Sequence, residues 1–194
     1  MNKKKEKTAA SDDRILVRQT LKGDRKAFEF LVRKYQQPLV NYFSRMTQGR
    51  ELSLDFTQEV FLRAYAALHT YRDKYQFSTW LFKIASNLLI DYWRKKKLPA
   101  SSLNAFNYDE NKETIQIPDC NPTVVERYER KQLINLIEQA IREPPKSLRE
   151  LFVLRHINDF SYEEIARIKD LPLGTVKNRV FQAKELLRLK LEGK

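Results

Sequence analysis

Apolar residues return every three or four positions along most of this chain, and nowhere do they alternate for long. Phe28, Leu31, Val32 and Tyr35 sit at i, i+3, i+4 and i+7, and Val60, Phe61, Ala64 and Leu68 follow a similar spacing. So do Leu81, Ile84, Ala85, Leu88 and Tyr92, then Leu133, Leu136, Ile137 and Ala140, then Leu148, Leu151 and Phe152. A period near 3.6 lines one face of a helix, whereas a half-buried strand needs a period of 2. Only four glycines occur in 194 residues, too few for a turn-dense β fold or a Gly-rich phosphate loop. The predicted class is all-α.

Breaks in the pattern divide the chain. Ser11-Asp12-Asp13 offers a cap and negative charge for a first helix, and Gly23-Asp24 stops and restarts it. Pro144-Pro145 ends the stripe that begins at Leu133. Between Leu98-Pro99-Ala100-Ser101-Ser102 and Pro118-Asp119-Cys120-Asn121-Pro122 no apolar period survives, and Asn, Ser and acids predominate. Such a stretch reads as a flexible linker. The expected organisation is a basic, disordered tail over 1–11, a helical domain over 12–97, an acidic linker over 98–126 and a second helical domain over 127–194.

Charge follows the same divisions. Residues 1–97 carry 21 Lys and Arg against 10 Asp and Glu, 98–126 carry 1 against 5, and 127–194 carry 15 against 10. Two basic blocks around an acidic one suit a polyanion binder, because each neutralised phosphate releases condensed counterions. Charge alone is also compatible with plain solvation. The longest apolar run, Ala64 to Leu68, is far shorter than the roughly 20 residues of a membrane span. No apolar segment follows the basic start, so no secretory signal is expected, and the expected location is the cytoplasm. A single cysteine, Cys120, and two histidines, His69 and His156, offer neither an internal disulfide nor zinc spacing, and no metal or cofactor is expected.

The second block carries a helix-turn-helix pattern. Ser161-Tyr162-Glu163-Glu164 reads as a capping box, with Tyr162, Ile165 and Ala166 on one face of a short helix that stops near Asp170-Leu171-Pro172. Gly174-Thr175 then opens a second helix, with Val176, Val180, Ala183 and Leu187 in a narrow inward stripe. With Val176 inward, Lys177, Asn178, Phe181 and Gln182 point outward. Asn and Gln pair with adenine, Lys with guanine or phosphate, and an aromatic ring with a thymine methyl. The competing reading packs Phe181 against a preceding helix and leaves the polar trio as a solvated face.

Residues 71–97 interleave Tyr71, Tyr75, Phe77, Trp80, Phe82, Tyr92 and Trp93 with Arg72, Lys74, Lys83 and 94–97, a run of Arg94 and three lysines. Grooves for single strands combine positive charge with stacking rings. Lys83, Asn87 and Arg94 share a polar stripe opposite Leu81 and Leu88, with Asn87 suited to a base edge and the basic run to phosphates. Most of the seven aromatics are nonetheless expected in the core, leaving one or two for bases. In 55–63 acids and amides sit on a helix of a basic domain, so a protein surface suits them better than phosphate, although a solvated helix start capped by Asp55 is the better explanation of the segment taken alone.

Together these motifs resemble the extracytoplasmic-function (ECF) group of bacterial sigma factors. The stretch from Asp55 to Tyr65, which opens Asp55-Phe56-Thr57-Gln58-Glu59-Val60-Phe61-Leu62-Arg63, is similar to that family's region 2.2, although Leu54 and Phe56 stand where an acid and Leu are usual. Phe77-Ser78-Thr79-Trp80-Leu81-Phe82-Lys83-Ile84-Ala85-Ser86-Asn87 and the residues through Arg94 resemble regions 2.3 and 2.4. Phe160-Ser161-Tyr162-Glu163-Glu164-Ile165-Ala166 and Gly174-Thr175-Val176-Lys177-Asn178-Arg179-Val180 resemble region 4.2. The resemblance implies a σ2 bundle and a σ4 helix-turn-helix joined by a linker that threads through RNA polymerase. It implies a non-catalytic promoter-specificity subunit that works with the core enzyme and promoter DNA. Its expected contacts are the β′ clamp helices with σ2 through Asp55, Gln58, Glu59, Phe61 and Arg63, and the β flap with σ4. It further implies −35 duplex contacts by Arg155, Thr175, Lys177, Asn178, Phe181 and Gln182, and melted −10 contacts by Phe77, Ser78, Lys83, Asn87, Arg94 and Lys95. An anti-sigma factor is an implied partner.

Two rivals carry different signatures. A polymerase-independent helix-turn-helix regulator would use 1–97 for sensing or dimerising. A nuclease would need a metal-holding cluster of His, Asp and Glu, and the acidic pairs Asp12-Asp13 and Glu163-Glu164 are explained by helix starts.

Overall fold

The computed structural model describes residues 2–47, 49–97 and 124–192, and among these it contains eight α-helices and no strand. Four helices form a first lobe: α1 (Asn2–Leu21), α2 (Arg25–Met46), α3 (Arg50–Ala66) and α4 (Phe77–Lys97), with a 3-10 turn at Leu68–Thr70. Four more form a second: α5 (Val124–Arg142), α6 (Lys146–His156), α7 (Tyr162–Lys169) and α8 (Leu173–Glu192). The architecture is all-α, as the 3.6 period requires. The expected linker falls mostly outside the described residues, as does Cys120, and α5 begins three residues before the expected boundary at 127.

Local chemistry sets the turns. Gly23 has φ +100, and Asp24 caps α2 by accepting the amides of Lys26 and Ala27. The position needs glycine for its dihedral, since a Cβ there would meet nothing within 4 Å. Pro38 lies inside α2 and removes one backbone donor; its own carbonyl accepts the Asn158 side-chain amide of the other lobe at 3.3 Å.

Two expectations fail at the N-terminus. Helix α1 starts at Asn2, not after a cap at Ser11 to Asp13, because Lys, Glu and Ala before Ser11 favour helix and nothing breaks it. Residues 2–11, expected as a basic tail, lie within the bounds of this helix. Asp13, instead of capping, is 3% exposed in the helix interior and accepts Lys34 Nζ at 2.5 Å and the Tyr35 hydroxyl at 2.5 Å.

Leu31, Val60, Ala64 and Leu81 of the predicted stripes join Leu39, Phe43 and Leu89 in closing the first lobe, and Leu151, Ile165, Val176, Val180 and Leu187 join Leu154 and Ile168 in the second. Ile137 departs from its stripe and is 40% exposed, while Leu133 lies outside the described side chains. The two lobes are not held apart. Helix α4 packs along α7, and α2 packs on α5 and α6. Phe82 of α4 meets Phe160 edge to face at 4.9 Å.

At the centre of this junction sits Glu150 of α6, 2% exposed. Its Oε1 accepts the hydroxyls of Tyr42 (2.8 Å) and Ser86 (2.8 Å) and Lys169 Nζ (2.7 Å). Four helices thus converge on one oxygen. Burial, and next the Glu150 charge, push the Tyr42 hydroxyl well above its ordinary pKa, so it stays a donor. Around the junction, Arg45 pairs with Glu138 at 2.5 Å, Thr79 donates to Glu164 at 3.2 Å and Lys83 pairs with Asp170 at 2.8 Å.

Removing Glu150 leaves Lys169 buried without its counter-ion. Glu150→Ala is expected to destabilise the protein by about 3–5 kcal/mol, the range for a broken buried pair, read as a lowered denaturation midpoint. Arg188→Ala, which breaks exposed pairs along α8, should leave the midpoint unchanged.

Candidate nucleic-acid interface

The helix-turn-helix is built from local bonds. Ser161 Oγ accepts the Glu164 amide at 3.2 Å and Glu164 Oε2 accepts the Ser161 amide at 2.8 Å, completing the predicted capping box. Helix α7 ends at Asp170, whose φ of +50 turns the chain, and the Leu171 amide returns to the Ala166 carbonyl at 3.0 Å. The turn residue is therefore Asp170. Gly174 already lies in α8, which starts one residue earlier than predicted.

Val176, Val180, Ala183 and Leu187 face the core, and the opposite face carries Lys177, Asn178, Phe181 and Gln182 in solvent. Phe181 is 62% exposed, against the reading that packs it inside. Thr175 is half-buried at the edge of this face. Arg155 does not join it: its guanidinium donates to the Phe160 carbonyl at 3.0 Å and stacks on Tyr162 at 4.9 Å, bracing the turn between α6 and α7.

On α4 the predicted residues divide. Asn87, Arg94 and Lys95 are exposed, and Arg94 pairs with Asp91 at 3.0 Å. Ser78 is half-buried beside Gln76. Lys83 reaches Asp170 of the second lobe, so part of this face is covered by α7. Phe77 must be corrected: it is 1% exposed, ringed by Tyr35, Tyr71 and Trp80 at 5.5–5.7 Å, and holds α4 to the core instead of meeting a base. Among the other rings of 71–97, Phe82 is buried, Trp80, Tyr92 and Trp93 are half-buried, and Tyr75 is exposed with Arg167 4.9 Å above it.

On α3, Asp55 and Gln58 are exposed and Glu59 pairs with Arg63 at 2.6 Å. Phe61 is the second correction. It is 8% exposed and packs edge to face on Phe28 at 6.4 Å, because it shares the inward face of Val60 and Ala64. Leu62 and Tyr65, missed in the sequence, are the apolar groups in solvent here, 68% and 49% exposed. Their signal was available: both lie off the Val60/Ala64 stripe.

Among the described residues, no three His, Cys, Asp or Glu side chains are grouped to hold a metal ion, and no helix is long and apolar enough to cross a membrane.

Comparison with known families completes the picture. Residues 31–98 match sigma-70 region 2 and residues 134–187 match sigma-70 region 4. The chain is a member of the sigma-70 family, of the ECF type. It is 35% identical over 185 residues to the ECF RNA polymerase sigma-E factor of Escherichia coli (strain K12), covering 93% of this chain and 94% of that one. It is 32% identical over 182 residues to the RNA polymerase sigma-H factor of Pseudomonas aeruginosa, covering 90% and 91%. Two solved structures share the fold. One is CnrH in complex with the cytosolic domain of CnrY (TM-score 0.68, 23% identity, 94% of this chain and 99% of that one). The other is the sigma factor RpoE in complex with the anti-sigma factor NepR from Bartonella quintana (0.67, 20%, 86% and 98%).

As a sigma factor, the chain directs RNA polymerase to promoters, and its working partners are the core enzyme and promoter DNA. Region 2 matches the half that the regulator reading assigned to sensing, so that alternative loses its basis. The start of α7 is held by the Ser161 cap. Ser161→Ala should cost about 1 kcal/mol, the usual value of an N-cap, read as a lower thermal midpoint.

Proposed function

We propose that α8 enters the major groove of the −35 element and reads bases with Lys177, Asn178, Phe181 and Gln182, while Thr175 fixes the helix on the backbone. The exposed Phe181 carries this reading. A large ring in water gains nothing from solvation, and beside an amide and an ammonium group it fits a thymine methyl next to polar base edges.

In the same account, α4 holds the separated −10 strand, with Asn87 taking a base edge and Ser78, Lys83, Arg94 and Lys95 the backbone. Extruding a base costs a few kcal/mol, repaid by pocket contacts. Because Lys83 pairs with Asp170 and α7 lies along α4, the lobes must separate before this face is free. Docking on the core supplies that separation: Asp55, Gln58, Glu59 and Arg63 meet the β′ clamp helices, with Leu62 and Tyr65 adding the apolar contact first assigned to Phe61, and the second lobe meets the β flap.

The chain contributes no catalytic group, polymerisation belonging to the core enzyme, and it acts in the cytoplasm. An anti-sigma protein, such as the NepR bound to one structural relative, would hold it inactive by covering both docking faces.

Run-off transcription with purified core polymerase over a promoter library tests the whole. Transcripts sharing an upstream sequence are expected, and no association with the polymerase would end the account. Lys177→Ala or Phe181→Ala should reduce −35 discrimination by about 1–3 kcal/mol per lost base contact. Asn87→Ala should slow strand opening while core binding holds.

A further inference from the structure

Among the described side chains of α4, Ile90 is the large apolar group left in solvent, 46% exposed. It stands three residues after Asn87 and four before Arg94, so the three share one helix face, opposite the buried Leu81, Ala85 and Leu88. Neither helix formation nor solvation selects isoleucine at such a position. A β-branched side chain loses rotamer freedom in a helix, and an unbranched polar residue would serve better in water. Ile90 also stays exposed although α7 lies along α4 and Asp170 reaches Lys83 on the same helix. Asp91, beside this face, is engaged by Arg94 at 3.0 Å.

Single hydrophobic residues on a surface are common and need no explanation of their own. What distinguishes Ile90 is that its setting recurs on α8. There Asn178 is followed three residues later by Phe181, 62% exposed, just as Asn87 is followed three residues later by Ile90. In both helices an amide and an apolar group are neighbours on a solvent face, with a cation close by, Lys177 on α8 and Arg94 on α4. An amide suits N6 and N7 of adenine, and an apolar group suits the C5-methyl of thymine. The pair therefore has the chemistry to read two neighbouring bases, one by hydrogen bonds and one by its methyl.

We infer that Ile90 is a specificity-determining residue, which packs on the C5-methyl of a thymine next to the base whose edge Asn87 takes. The inference rests on the −10 reading proposed for α4 and adds an apolar reader to its polar contacts.

The test is holoenzyme affinity for a forked probe built from a promoter that the library selects, each thymine of the −10 region being replaced in turn by deoxyuridine. Deoxyuridine lacks only the methyl group. At one position the replacement should weaken wild-type binding about fourfold, the worth of one buried methyl. Ile90→Ala should weaken binding to the thymine probe and erase the difference between thymine and deoxyuridine at that position, and Ile90→Val should keep part of it. A purely structural role would leave the thymine preference intact in Ile90→Ala, and that result overturns the inference. So does a wild-type holoenzyme indifferent to deoxyuridine at every position. Weaker binding of Ile90→Ala to core polymerase without DNA also overturns it, because the side chain would then be seated on protein. Asn87→Ala separates the two levels. If it leaves affinity for the probe unchanged, the α4 reading falls and the role of Ile90 with it; if it weakens the probe while no thymine couples to Ile90, only the role of Ile90 falls.

Discussion

Glu150 is the point through which the two halves of the molecule are joined. A carboxylate this deeply buried survives only if its charge is matched, and the match comes from both lobes: Lys169 from its own, Tyr42 and Ser86 from the other. Apolar contact such as Phe82 on Phe160 supplies attraction without direction. The hydrogen bonds to one oxygen supply direction, because a shift of either lobe would leave a buried polar group unsatisfied. The relative placement of α4 and α7 follows from that requirement.

Toward the rim the contacts change character. Lys83 and Asp170 pair with side chains 42% and 72% exposed, where water and salt screen them. The junction therefore has a firm centre and a soft edge. Acids of the second lobe, Glu164 and Asp170, occupy polar groups of α4, the hydroxyl of Thr79 and the ammonium of Lys83. The outward face of α8 is under no such restraint, with Lys177, Asn178, Phe181 and Gln182 all in solvent. The closed molecule thus presents the proposed face of α8 and covers part of the proposed face of α4.

Most of the local structure was legible in the sequence because it is decided locally. The Ser161 capping box lies within four residues, and the outward position of Phe181 follows from the inward position of Val176. Phe61 was legible too, since the Val60/Ala64 stripe already pointed it inward; giving it a docking role set that period aside. Phe77 misled for a different reason. Aromatic and basic residues interleaved in sequence suggest a stacking platform, but whether a ring faces water depends on neighbours such as Tyr35. Asp13 read as a cap because capping residues and buried acids look identical until a partner arrives, here Lys34 and Tyr35 more than 20 residues away. Glu150 was invisible for the same cause at longer range: Tyr42 lies 108 residues from it. Such pairings are properties of tertiary structure, and the period of a single helix does not encode them.

Lobe separation is the event on which the account turns, and a distance measurement addresses it directly. Donor and acceptor dyes on Lys26→Cys and Lys184→Cys, both exposed sites in opposite lobes, with Cys120→Ser to remove the native thiol, would report it by single-molecule energy transfer. The free chain should show one high-efficiency population that moves to low efficiency when core polymerase and promoter DNA are added. The same efficiency in the free chain and in the promoter complex would contradict the account.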